Sequence, residues 1–162
     1  LAMGDALMVA YLELNGFKDD VFARNHPGGS IGRKLLTTIG DVMHTGDQIP
    51  IVYENSNLST VISEMTQKRL GVTLIVDKKK HLKGIITDGD LRRMIEQKKD
   101  VLKICARDLS NSFPKYLEQT NLATEAVQLM DKHSITSLVV SKNGQKIDGL
   151  IHLHDLLKAG II

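Results

Sequence analysis

The feature that most constrains this 162-residue chain is that it repeats itself. Gly84, Ile86, Asp90 and Leu91 recur as Gly149, Ile151, Asp155 and Leu156, and Met65 recurs as Met130, each pair 65 residues apart. Farther upstream, "QIPIV" with Pro50 answers "SFPKY" with Pro114, and "SNLST" from Ser56 answers "TNLAT" from Thr120, now at an offset of 64. The change of offset predicts one residue gained or lost near the first helix of the unit. A unit of this size is marginal alone, so the two copies are expected to pack on each other with approximate two-fold symmetry.

Each copy carries the same succession of patterns. Leu58, Val61, Ile62 and Met65 fall on one helical face, with Ser56 or Asn57 in place to cap it, and Leu122, Ala126, Leu129 and Met130 repeat the stripe. The short apolar runs "VTLIV" and "SLVV" follow, each leading through a polar turn to a second run, "LKGII" or "IDGLI". Runs this short and β-branched suit buried strands. A polar cluster then opens another helix, from Leu91 to about Gln97 or from Leu156 to about Ala159. The expected fold is α/β (α+β): strand-helix-strand-strand-helix, twice, with a cleft between the copies where the second strands end and the last helices begin.

That cleft would hold "GIITDGDL", and its polar residues admit several chemistries. Thr87 or Asp88 can cap the helix, whose first N–H groups are unpaired and favour anions. A ligand phosphate could use the same groups, with Thr87 donating its hydroxyl and Asp90 accepting from the vicinal hydroxyls of a ribose. An EF-hand is excluded, since the later acidic ligands and the Glu at the twelfth position are missing. A paired-carboxylate hydrolase has no other support. In the second copy His152 stands at the Thr87 position, where a protonated ring could meet a phosphate or carboxylate. His152 and His154 could share a face and chelate a metal. No Cys or carboxylate completes a ligand set in sequence, so the expectation is no metal and a hydrogen-bonding or capping role.

Composition narrows the partners. Charged residues are 25% of the chain and the formal net charge is +2, so neither a basic stripe for nucleic acid nor an acidic disordered tail is present. The single Cys105 rules out an internal disulfide framework and fits a reducing cytoplasm, and an inert thiol is its expected state. The opening "LAMGDALMVAYLELNGF" is interrupted by Asp5 and Glu13 and lacks a basic n-region, so it reads as a packed helix rather than a signal peptide or membrane span. Its nearly all-round apolar character predicts that it packs in a larger domain, the chain being part of a longer protein. "RNHPGGSIGRKLL" fails as a P-loop, because Gly32 is followed by Arg33, Lys34 and Leu35; it reads as a turn entering a short helix.

The doubled strand-to-helix pattern of Gly84, Ile85, Ile86, Thr87, Asp88, Gly89 and Asp90 resembles the nucleotide-contacting motif of cystathionine β-synthase (CBS) domains, which occur in tandem as a Bateman module. "HPGGSIGRKL", the upstream helix, "DVMHTGDQIP", "TDGDLRR" and "HLHDLLKAG" extend a resemblance over the whole chain to the arabinose 5-phosphate isomerase family, in which a sugar isomerase (SIS) domain precedes a CBS pair. The resemblance implies an SIS helix and linker at 1–36, one CBS domain at 37–100 and a second at 101–162. It implies a parent enzyme that interconverts D-ribulose 5-phosphate and D-arabinose 5-phosphate for Kdo and lipopolysaccharide synthesis through an enediol. Only His26 among the family's catalytic residues has a counterpart here, so this piece alone is expected to be inactive. No cofactor is expected to be required. The implied partners are the SIS domain, further copies of the chain (a CBS-pair dimer within a tetramer) and a regulatory nucleotide, AMP, ATP or CMP-Kdo. Thr87 and Asp90, then His152 and Asp155, are the expected contacts; the alternative is an unliganded dimerisation module.

Overall fold

The computed structural model describes residues 30–97, 104–110 and 113–162. His26 and the expected SIS helix lie outside the described residues. Helix α1 (Ser30–Leu36) leads into a stretch with two 3-10 turns, Ile39–Asp41 and Gly46–Gln48. The first unit follows as β1 (Ile51–Tyr53), α2 (Leu58–Lys68), β2 (Val72–Val76), β3 (Leu82–Thr87) and α3 (Asp88–Glu96). A short helix α4 (Ala106–Leu109) precedes the second unit: β4 (Tyr116–Leu117), α5 (Ala123–His133), β5 (Ser137–Val140), β6 (Gly149–His152) and α6 (Leu153–Lys158). The predicted order therefore holds in both copies.

Each unit forms a three-stranded sheet with its apolar run in the middle, in the orders β1-β2-β3 and β4-β5-β6. The outer pairs are parallel where a helix crosses over, β1 on β2 and β4 on β5, and antiparallel where a turn suffices, β2 on β3 and β5 on β6. Every residue of β2 and of β5 is buried, which is why these runs are apolar without alternation.

Strand register corrects the sequence alignment of the two copies. Ile51 pairs with Leu74 and Tyr116 with Val139, so Ile51 and Tyr116 are equivalent at an offset of 65, as are α2 and α5. No residue is gained or lost within the unit. The shifted likeness of "SNLST" to "TNLAT" arises because the caps differ by one position. The Asn57 side chain accepts from Thr60 N at 2.9 Å to start α2, whereas Asn121 braces Glu125, which accepts from Leu122 N at 3.0 Å to start α5.

Among the described residues, three apolar clusters hold the fold together. Leu74, Leu82 and Ile85 of the first sheet meet their equivalents Val139, Ile147 and Leu150 between the sheets. Near that interface His81 bridges Lys146, a residue paired with its own counterpart 65 positions on, so the pseudo-two-fold axis passes close by. The other two clusters lie under the helices, and each borrows from outside its unit. Ile39 is fully buried among Ala123, Ala126, Met130 and Ile151 of unit two, while Ile104, Ala106 and Leu109 fill the core of unit one with Val61, Met65 and Ile86. Backbone bonds fix this crossing: Ile39 N donates to Asn121 O at 2.9 Å and Gly40 N to Gln119 O at 2.9 Å, while Ala106 N donates to Ser56 O at 2.8 Å and Arg107 N to Glu54 O at 3.1 Å.

Candidate functional site

The two units leave a cleft of about 610 Å³ beside the start of α3. One wall comes from unit one: Val72, Ile85, Thr87, Asp90 and Arg93. The opposite wall is the approach to β4, Phe113 to Lys115, and the turn from α5 into β5, His133 to Ser137. Apolar and aromatic groups thus share the space with hydroxyls, with Arg93 and Lys115, and with a single carboxylate.

Thr87 and Asp90 meet, as the sequence led us to expect, but they meet first as a reciprocal cap. Thr87 N and Thr87 Oγ1 both donate to Asp90 Oδ2, at 2.8 and 2.7 Å, and Asp90 N donates to Thr87 Oγ1 at 3.3 Å. Arg93, one turn on, donates to Asp90 Oδ1 at 2.6 Å. Helix α3 begins at Asp88, three residues before the sequence estimate, because the cap residue is Thr87 itself. These bonds set the chemistry each side chain can offer. A carboxylate oxygen accepts more than one hydrogen bond, so Asp90 can receive a ligand hydroxyl with its cap intact. The Thr87 proton is committed to Asp90, and only by rotating away could it be donated to a phosphate.

The equivalent position in unit two is built differently. His152 caps α6, its Nδ1 accepting from His154 N at 3.1 Å, so the two histidines are joined through a backbone N–H. Burial pushes the His152 imidazole below its usual value; the Asp155 charge opposes this, while His154 and His44 reinforce it. A cationic His152 is therefore disfavoured at this position. Among the described residues no group of three or more His, Cys, Asp or Glu side chains is placed to hold a metal ion. Asp155 Oδ2 accepts from His152 N at 3.2 Å and, at 2.9 Å, from Nε2 of His44, a residue 111 positions earlier.

Sequence reasoning named the residues of α3 and α6 and missed the facing wall. Phe113, Lys115 and the Ser134–Ser137 stretch carry no motif; the repeat implied only that unit two must supply them. His44 had no signal, because its partner is brought to it by the crossed stretch.

The family model of the CBS domain matches residues 39–97 and 106–161, and the chain belongs to the CBS-domain family. Arabinose 5-phosphate isomerase KdsD of Escherichia coli (strain K12) is 44% identical over all 162 residues of the chain, which span 49% of that relative. The chain spans about half the length of the curated relatives it matches. Among solved structures, CBSX2 in complex with AMP matches with a TM-score of 0.67 at 17% identity, over 77% of this chain and 96% of that one. The CBS domain protein PAE2072 from Pyrobaculum aerophilum complexed with AMP gives 0.65 at 23% identity, over 74% and 89%. At these identities the two structures speak for the fold.

Proposed function

We propose that the chain is the regulatory CBS-pair part of a cytoplasmic arabinose 5-phosphate isomerase and that it senses a nucleotide-like effector in the Thr87–Asp90 cleft. The identity with KdsD enzymes along the whole chain supports the parent activity. The observation that carries the sensor reading is the cleft itself. Its volume of about 610 Å³ lies within the range of small-molecule sites, its Phe113, Pro114, Ile135 and Val72 suit a base, and Arg93 and Lys115 suit phosphate. Two proteins of the same fold were solved with AMP.

Within this reading Asp90 takes ribose hydroxyls and the cations take phosphate, while Thr87 contributes only after its hydroxyl turns from Asp90. His26 would serve catalysis in the parent, whose other catalytic residues belong to the SIS domain. An effector then acts by binding two arrangements of the CBS pair with different affinity.

Thermal unfolding of the chain with AMP, ATP and CMP-Kdo tests the sensor. A ligand at about 100 times its Kd stabilises the fold by about 2.7 kcal/mol, a rise in Tm of about 5 to 11 °C for a chain of this size. Asp90→Ala is expected to abolish the rise. No shift with any of the three nucleotides, or a full shift in the variant, would overturn the site. The parent activity is tested on the full-length enzyme with ribulose 5-phosphate, and failure to form arabinose 5-phosphate would overturn it.

A further inference from the structure

Phe113 lines the cleft and also a second hollow, of about 450 Å³, to which no sequence motif points. Two exposed aromatic rings, Phe113 and Tyr116, share that space with the amides of Asn143 and Gln145 and with two basic groups, His81 and Lys83. None of its lining residues among those described is acidic. The hollow lies where the two hairpins touch, Leu82 N donating to Gln145 O at 2.8 Å.

Local backbone holds these groups in place. Gly144 has a φ of +72°, and a Cβ there would lie 2.7 Å from Tyr116 Cε1, so the glycine lets the ring rest on the turn. Tyr116 stays 41% exposed all the same, and Phe113 52%. Asn143 Oδ1 accepts from Gln145 N at 3.0 Å and from Lys146 N at 3.2 Å, which leaves its amide N–H groups as what it can offer. Asp77 Oδ2 lies 3.3 Å from both His81 Nδ1 and Lys83 Nζ, so one carboxylate, outside the lining of the hollow, faces two basic groups. The repeat shows that the fold does not require this set. In the equivalent hollow of about 540 Å³, Ile51, Lys80, Lys146 and Asp148 stand where Tyr116, Gln145, His81 and Lys83 stand here, and Asp47 and Glu64 add two more carboxylates.

We propose that the hollow between Tyr116 and Lys83 is a binding site for a sugar phosphate. The C–H bonds of a sugar ring suit the negative faces of aromatic rings, and the amides of Asn143 and Gln145 suit its hydroxyls. Lys83, joined by His81 when that ring is protonated, suits the phosphate. The proposal does not rest on the nucleotide reading of the Thr87–Asp90 cleft.

Titration of the chain with D-arabinose 5-phosphate, followed by amide NMR, tests it and locates the site. Saturable shifts are expected to centre on residues 81–83 and 143–146. No saturable shift up to about 10 mM would overturn the proposal, and so would shifts centred on residues 87–93, which would put the ligand in the cleft already described. Lys83→Gln and Gln145→Ala, both on exposed turns, should each weaken binding about tenfold; wild-type affinity in both variants would overturn the assignment. D-arabinose and inorganic phosphate, each alone, should bind at least about tenfold more weakly than the sugar phosphate. Inorganic phosphate binding as tightly as D-arabinose 5-phosphate would make this an anion site and overturn the sugar recognition.

Discussion

Ile39→Ala should damage a part of the molecule that the chain order does not suggest. Ile39 precedes the whole first unit, yet its side chain is fully buried against Ala123, Ala126 and Met130 of the second. The substitution removes three buried carbons, about 2.4 kcal/mol at about 0.8 kcal/mol each. A cavity term follows, because the site cannot collapse. Ile39 is fixed by its N–H bond to Asn121 O at 2.9 Å, and its own carbonyl accepts from Met43 N at 3.0 Å. With about 1 kcal/mol for that cavity, the loss comes to about 3.5 kcal/mol. Urea unfolding gives the total. Hydrogen exchange read by peptide mass gives its location: α5, β5 and β6 should exchange faster by about two to three orders of magnitude, with a smaller effect on α2 and β2. A loss below about 1 kcal/mol, or a loss of protection centred on residues 58–97, would refute the crossed packing. Leu109→Ala is the mirror experiment and should act on α2 and β3.

Thr73 is fully buried in β2 with its hydroxyl unpaired, where the equivalent residue is Leu138, so Thr73→Val should raise stability by about 1 kcal/mol in urea unfolding; a loss would mean the hydroxyl has a partner. Gly84→Ala places a Cβ 2.9 Å from Ser110 Cβ and should cost about 1 to 3 kcal/mol, recovered largely in the double variant with Ser110→Gly; additive losses would refute that contact as the cause. The depressed His152 pKa sets a pH dependence. The unfolded chain takes up the proton first, near the usual 6.5, so stability is full above that value and falls as pH drops through it toward the lower folded pKa. The urea midpoint should therefore be lower at about pH 5.5 than at about pH 7.5, and His152→Gln should flatten the change; a midpoint that rises on acidification contradicts it.

How far the sequence could be read depended on whether a position repeats its task in both units. Gly84 and Gly149, Asp90 and Asp155, and Leu91 and Leu156 are legible because each sits at the same corner, where a glycine admits a crossing stretch of chain and a carboxylate closes a helix cap. The helix stripes were legible for the same reason. The caps of α2 and α5 misled, since they reach one result with different residues. The crossed stretches were not legible at all. Thr38 and Cys105 open equivalent turns, each N–H bonded to the Asp three residues on, yet they lie 67 positions apart, and of the aligned runs "TIGDVM" and "CARDLS" that Asp alone is shared. What they share is backbone geometry, which side-chain identity records only weakly.

The two helix caps that begin α3 and α6 differ in a way that the repeat brings out. With Thr at the cap, as at Thr87, the carboxylate three residues later gains two bonds from that residue, one from its N–H and one from its hydroxyl. A histidine cap spends its Nδ1 on His154 N and gives the carboxylate only a backbone N–H. Asp155 takes a further donor from the crossed stretch, His44 Nε2 at 2.9 Å. Had His152 been Thr, its hydroxyl would compete for the same Oδ2 that His44 uses, and the hold on Asp155 would weaken. The histidine cap and the His44 bond together make the start of α6 a junction between the last helix and the segment entering from upstream.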